Sequence, residues 1–348
     1  MRLICTPRSY GRLLQRHMIH SGVPSNKRCT VAIIGAGAVG SYYGARLHEA
    51  GHDVRFFMRG PNLDTCHVNG LTVQSIAGDM HIPASELQTF SNTKDIGEVD
   101  WVVLGLKSTA LQVVPALVRP CLGQHSRVLA IMNGFVDDQL VDLLPEARSV
   151  FGGMAFICVN RISPGVIHHS FYGPLLGGLA RVDPNQQHEL ELLEQLWQPT
   201  KVPFTTTPTL LRGRWEKSAW NIPFSGLSVA MGGITIDQIV GDQGLRKLAK
   251  QIMCEVVAVA NADLQAHCGG DDWEPLGEAH MTKMWDLSDN MGPYRPSTMI
   301  DLLAGKPIEV EYLFSQPLQR AWALGVEVPY MHMMVTQIEA IQRMRNLF

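Results

Sequence analysis

Up to about residue 207 the apolar residues come in short unbroken runs; beyond it they recur at helical spacing. Val31-Ala32-Ile33-Ile34 is the first run, and Asp53-Val54-Arg55-Phe56-Phe57-Met58 is the next strand-like stretch. Trp101 to Leu106 and Arg127 to Met132 read as further strands, and the unbroken apolar run at 101–106 is what a strand buried on both faces requires. Val150 to Val159 and Val166 to Phe171 read as later strands. Leu71 to Ile82 alternates around a turn and predicts a small hairpin. Helical segments lie between the runs, Ser41 to Ala50 first among them. Strand alternating with helix predicts an open, doubly wound sheet.

The pattern changes at Thr205-Thr206-Thr207-Pro208. Leu210 to Ala230 is long and amphipathic until Pro223 interrupts it. Leu245 to Ala266 places Ile252, Val256, Val259 and Ala260 at helical spacing. Tyr330 to Met344 is Met-rich at the same spacing, which reads as core filler. The expected fold class is α/β. A Rossmann-type doubly wound domain spans residues 30–207, an all-helical domain spans 208–348, and a ligand cleft lies between them.

The first strand feeds directly into Gly35-Ala36-Gly37-Ala38-Val39-Gly40, a G-x-G-x-x-G turn opening a helix. Gly35 permits the tight turn, Gly37 lets the backbone approach a pyrophosphate, and Gly40 lets helix and strand pack closely. The helix N-terminus offers free N–H groups to the phosphates. The second strand ends in Arg59-Gly60 with no acid at its tip, and Asp53 sits at the wrong end of it. A ribose 2′-hydroxyl wants an acid there, whereas Arg59 meets a 2′-phosphate with a bidentate contact. The expected cofactor is therefore NADP(H).

Composition adds boundaries. The chain has 348 residues, 46% hydrophobic and 18% charged, with a formal net charge of −3, so neither nucleic acid nor an anionic membrane is an expected partner. Seven cysteines are scattered without a C-x-x-C pair, which argues for reduced, mostly buried thiols in an intracellular protein and for no metal. No apolar stretch is long enough for a transmembrane helix. Residues 1–29 form a basic leader with no acid before Glu49, with a transit peptide and a disordered extension of a cytosolic protein as the two readings. The expected compartment is the cytosol or the mitochondrion, and the expected state a monomer or homodimer.

Hydride transfer to a carbonyl needs a proton donor and groups for the substrate's charge. Lys107 and Asn133-Gly134 each follow a strand, at the sheet edge where ligands bind. Lys217 and Asn221 are spaced i, i+4 in an aromatic segment. A lysine so embedded is either an acid with a lowered pKa or a snorkelling side chain. Ser297-Thr298 beside Arg295 offers two hydroxyls to a carboxylate or caps a helix, and the Glu309/Glu311 pair either orients a lysine or faces water.

In this order, after an NADP-type βαβ unit, these pieces resemble the ketopantoate reductase (2-dehydropantoate 2-reductase) family over about residues 30–345. That family's glycine loop is matched by Gly35, Gly37 and Gly40, its 2′-phosphate arginine by Arg59, and its strand-end lysine by Lys107. Its Asn-Gly is matched by Asn133-Gly134 and its Lys-then-Asn helix motif by Lys217 and Asn221. Its Ser-Ser-Met and Thr-Glu-Ile-Asp segments resemble Ser297-Thr298-Met299 and Ile308-Glu309-Val310-Glu311. The resemblance implies NADPH-dependent reduction of 2-dehydropantoate to (R)-pantoate, a step towards coenzyme A. It implies that Lys217 is the general acid and that Glu309 holds that lysine and the nicotinamide side of the cleft. Asn221 would then bond the substrate's hydroxyl end, Ser297 or Thr298 its carboxylate, and Asn133 and Lys107 would line the junction with the cofactor.

The chain departs from the family where a second asparagine followed by proline is usual: Ser225-Gly226 stands there and the proline is Pro223. The shorter Ser225 gives the substrate site a different hydrogen-bond geometry, and such sites discriminate strongly. Two other functions are therefore open, a reductase of another 2-keto or β-hydroxy acid and a dinucleotide sensor without turnover. The Lys217/Asn221/Glu309 set speaks against the sensor, which needs no proton donor.

Overall fold

The structure is a computed structural model and describes residues 28–268 and 274–347. The leader lies outside the described residues except at Arg28 and Cys29, and Cys29 already feeds the fold, its N–H donating to His52 Nδ1 at 3.2 Å.

One sheet contains β1 (Thr30–Ile34), β2 (Asp53–Phe57), β3 (Leu71–Ser75), β4 (Met80–Ile82), β5 (Gln88–Phe90), β6 (Val99–Leu104), β7 (Leu122–Ala130), β8 (Ser149–Ser163), β9 (Val166–Leu179) and β10 (Phe204–Thr206). Their order is β4-β3-β9-β8-β7-β6-β1-β2-β5, with β10 added on β9. From β5 through β8 every pairing is parallel. β8 and β9 form a long antiparallel hairpin, and the expected small hairpin is β3–β4. The sheet is thus mixed, with a Rossmann-type parallel part.

The helices are α1 (Ala38–Glu49), α2 (Pro61–Asn69), α3 (Val114–Val118), α4 (Asp137–Leu143) and α5 (Gln186–Trp197), then α6 (Leu210–Trp220), α7 (Gly226–Ala230) and α8 (Ile236–Gly241). They continue with α9 (Gln243–Cys268), α10 (Glu278–Asp289), α11 (Ser297–Leu303), α12 (Gln316–Ala323) and α13 (Pro329–Met344). Successive residues of a strand point to opposite faces. Accordingly Val31, Ile33, Trp101, Val103 and Leu129 join α1 and α5 in one core, while Ala32, Ile34, Val102, Leu104 and Val128 join α3 and α4 in another. That two-sided burial explains the unbroken apolar runs. Residues after 207 build a third, helical core around α9, where Met331 and Met334 are filler as expected, whereas Met333 and Met344 of the same stripe face water. Burying each such side chain contributes about 1.5–3 kcal/mol.

The two lobes exchange anchors. Phe135, beyond β7, is buried in the helical core with its ring centroid 4.7 Å from that of Trp215. Tyr312, from the helical lobe, packs against the sheet-side core and its hydroxyl donates to Gln139 Oε1 at 2.9 Å.

Several boundaries differ from the sequence reading. α1 starts at Ala38 rather than Ser41, because the second half of the glycine motif is already the helix's first turn. β7 begins at Leu122, and β9 runs on past Phe171 after an irregular step at Tyr172 (φ 63°) and Gly173 (φ 138°). Pro223 interrupts the regular α-helix, as the sequence reading has it. Asn221–Ser225 forms a widened π-helical turn joining α6 to α7, which absorbs a residue that has no N–H to donate. Among the described residues no helix is long and apolar enough to cross a membrane, and Cys66, Cys121 and Cys158 are buried thiols.

Candidate active site

The three glycines each meet a different physical demand. Gly35 has φ +97°, and a side chain on it would lie 2.8 Å from the Gly105 and Leu106 backbone. A Cβ on Gly40 would lie 2.3 Å from the Gly35 carbonyl oxygen. A Cβ on Gly37 would meet nothing within 4 Å, so the backbone there is open to a ligand. That combination fits a dinucleotide pyrophosphate on the N-terminus of α1. Arg59, one residue past Met58, is exposed with its guanidinium over the Phe57 ring at 5.6 Å, and no carboxylate pairs with it among the described residues.

Gly37, Ala38 and Val39 open into a cavity of about 450 Å³ between the lobes. Lys107, Asn133, Lys217, Asn221, Ser225, Ser297, Thr298 and Glu309 all line it. The remaining predicted glycine-loop residues, Gly35, Ala36 and Gly40, stand behind that wall, and Arg59 stands outside it. Apolar side chains in the lining include Phe156 and Phe171 of the sheet lobe and Trp220, Met291 and Tyr294 of the helical lobe.

A chain of hydrogen bonds crosses the cavity. Lys217 Nζ donates to Asn133 Oδ1 at 2.8 Å. Asn133 Nδ2 donates to Glu309 Oε2 at 3.1 Å. Glu309 Oε1 accepts from the Ser108 N–H at 2.8 Å and from Ser108 Oγ at 3.0 Å. An ammonium only donates and a carboxylate only accepts, so this arrangement fixes which way the Asn133 amide faces. Gly134, with φ +80°, permits the turn that holds it, and the Tyr312 carbonyl oxygen presses within 2.4 Å of where a Cβ would be.

Burial pushes the Lys217 amine down to about 7, the Arg214 charge pushes the same way, and Glu309 opposes both. An amine so lowered is part charged and part neutral near pH 7, which is what proton donation at that pH requires. Lys107 pairs with Asp301 of α11, whose carboxyl is nonetheless raised by burial. The Thr298 hydroxyl and Asp301 Oδ2 are buried and find no hydrogen-bond partner among the described residues.

Two expectations need correcting. Glu309 and Glu311 do not act as a pair: Glu309, in the loop before the helical turn, is 2% exposed, while Glu311, the first residue of that turn, faces water. Nor does Glu309 hydrogen-bond Lys217 directly, since Asn133 stands between them. The sequence reading gave no role to Ser108, Asp301 or the Arg214–Asp137 pair. Arg214 precedes Lys217 by one helical turn, which was the available signal.

A glycine turn facing an acid-tuned ammonium across a cleft defines a nicotinamide-dependent oxidoreductase acting on a CH–OH group. The comparisons agree. Residues 31–180 match the family model described as ketopantoate reductase PanE/ApbA, and residues 209–342 match its C-terminal counterpart. A 2-dehydropantoate 2-reductase of Nostoc sp. is 32% identical over 312 residues, 88% of this chain and 93% of that protein. The crystal structure of 2-dehydropantoate 2-reductase from Geobacter metallireducens superposes with TM-score 0.81 at 34% identity, covering 89% of this chain and 99% of that one. A D-mandelate dehydrogenase solved with NADH and anilino(oxo)acetate shares the fold at 17% identity, with TM-score 0.78 over 92% of this chain and all of that one. The chain belongs to the ketopantoate reductase family.

Proposed function

We propose that the chain reduces 2-dehydropantoate to (R)-pantoate with NADPH, in pantothenate and coenzyme A synthesis. The observation that carries this reading is the Lys217 amine, lowered to about 7 and held by Asn133 in the cavity that the glycine turn opens into. Residues 30–207 serve as the cofactor domain and 208–348 as the substrate domain. The turn Gly35 to Gly40 holds the pyrophosphate through the α1 N-terminus, and Arg59 holds the 2′-phosphate. Lys107, Asn133 and Glu309 line the nicotinamide end. When bound, the reduced nicotinamide supplies a hydride to the keto carbon. Lys217 Nζ gives a proton to the oxygen that becomes the alcohol. Asn133, fixed by Glu309, aims that amine. Ser297 and Thr298 receive the carboxylate, and Asn221 and Ser225 receive the hydroxyl end.

The test is NADPH oxidation by purified protein with 2-dehydropantoate, with NADH run alongside. Oxidation that disappears in Lys217→Ala supports the reading. No oxidation with that acid overturns the substrate assignment.

The apolar part of the cavity lining favours one alternative, a 2-keto acid with a larger apolar substituent. Ser225, where the family resemblance leads one to expect a longer amide, lines the same cavity as Trp220, Met291 and Tyr294. A panel of 2-keto acids ranked by kcat/KM decides: a bulky apolar acid outrunning 2-dehydropantoate selects the alternative.

A further inference from the structure

Arg214 is 3% exposed and does not line the cavity. Its guanidinium is fully engaged by the other lobe. Nε and Nη2 donate to the two carboxylate oxygens of Asp137, each at 2.7 Å, and Nη1 donates to the Met132 carbonyl at 2.6 Å. Met132 is the residue before Asn133, so the clasp grips the backbone that presents the amide to Lys217. β8 makes room for the pair. Gly152 has no backbone need for glycine, yet a Cβ there would lie 2.5 Å from Asp137 Oδ1 and 2.8 Å from Arg214 Nη2.

We propose that Arg214, clasped by Asp137 and Met132, is a positioning residue for Lys217: it fixes the Asn133 loop against the amine and sets a partly neutralised positive charge one helical turn from it. The inference rests on Lys217 being the proton donor. A bidentate buried arginine fixes its charge in one geometry through its fork, which the single ammonium of a lysine would not do. Asp137 cancels part of that charge at the amine, so the two partners act on Lys217 in opposite senses. The other charges around the amine are Glu309 across the Asn133 amide, the Lys107–Asp301 pair, Lys306 and Arg161 on the cavity wall. His280 and Glu216 contact one another on the α10 side, and Asp263 and Arg320 lie behind Trp215 on the α9 side. None of these belongs to the clasp, so the variants below leave them in place.

The experiment is the pH profile of kcat for reduction in four proteins, with chain stability measured alongside. Asp137→Asn leaves the Arg214 charge less neutralised, which is expected to move the alkaline limb down. The double variant Arg214→Gln with Asp137→Asn removes both charges while keeping hydrogen-bonding groups, and is expected to move the limb up by about one pH unit. Arg214→Lys keeps the charge but loses the fork, and is expected to hold the limb while kcat falls. Opposite shifts from the first two variants support the proposal, because a structural role alone moves stability and not the limb. Wild-type limbs in both overturn it. Lys217→Ala is the control: full activity there sinks the proton-donor reading itself, whereas lost activity together with unmoved limbs sinks only the role of Arg214.

Discussion

Lys217 and Asn133 meet across the two lobes: the lysine belongs to α6, and the amide that accepts its 2.8 Å hydrogen bond follows β7 of the sheet. The amine is therefore held by the lobe it does not come from. Its geometry depends on how the lobes meet, and so does its charge state, since Arg214 and Glu309, which act on it, are both held by the sheet lobe.

The pH dependence follows with a definite sign. In the proposed reaction the ammonium is the donor, and burial lowers it to about 7. Reduction should be full below that value and fall as pH rises through it, while oxidation of the alcohol, which needs the neutral amine, should rise over the same interval. Lys217→Ala should lower kcat by about 10²–10⁴-fold. Steady-state rates in both directions across pH check this; a reduction rate flat from pH 6 to about 9 would be incompatible with so lowered an amine.

Asn133→Asp puts a carboxylate against the ammonium and should favour its charged form. The alkaline limb of reduction then moves to higher pH. Asn133→Ala removes the bridge and should lower kcat by about 10–100-fold, the worth of a hydrogen bond to a charged group. Comparing the two pH profiles separates charge from placement.

Arg59→Gln should raise KM for NADPH by about 10–100-fold, because a charge-assisted contact to phosphate is lost. KM for NADH should hardly change. Equal loss with both cofactors would remove Arg59 from the 2′-phosphate site.

Gly37→Ala and Gly40→Ala should separate binding from folding. Gly37 faces open space, so its variant should keep the wild-type melting temperature and lose affinity for NADPH. The Gly40 variant forces a Cβ to within 2.3 Å of the Gly35 carbonyl oxygen and should lose about 1–3 kcal/mol of stability as well. Thermal melts with and without NADPH give both readouts.

Much of this was readable from local pattern. β1, the glycine turn and β2 lie within 28 residues of sequence, from Thr30 to Phe57, and each piece obeys a short-range rule. Helical spacing put Lys217 and Asn221 on one face, but spacing alone left the lysine either an acid or a snorkelling side chain, and only the family resemblance gave it a role. β5 and β10, at three residues each, are too short to show a period. The second half of β9 was hidden by the break at Tyr172 and Gly173. The ties that finish the site were invisible for another reason. Asp137 and Arg214 are 77 residues apart, and Ser108 and Glu309 are 201 apart. Contacts between lobes leave no periodic trace in either partner, and at 309 and 311 the spacing alone did not say which acid turns inward.

The exchange of Phe135 for Tyr312 has a consequence for the chain as a whole. Each half stores one aromatic plug in its neighbour, so neither half has a complete interior when separated from the other. A fragment cut near residue 207 would leave Phe135 stranded in water, and the complementary fragment would carry a hole beside Trp215. Such halves should be insoluble or molten when expressed apart, and the intact chain should melt in a single cooperative step.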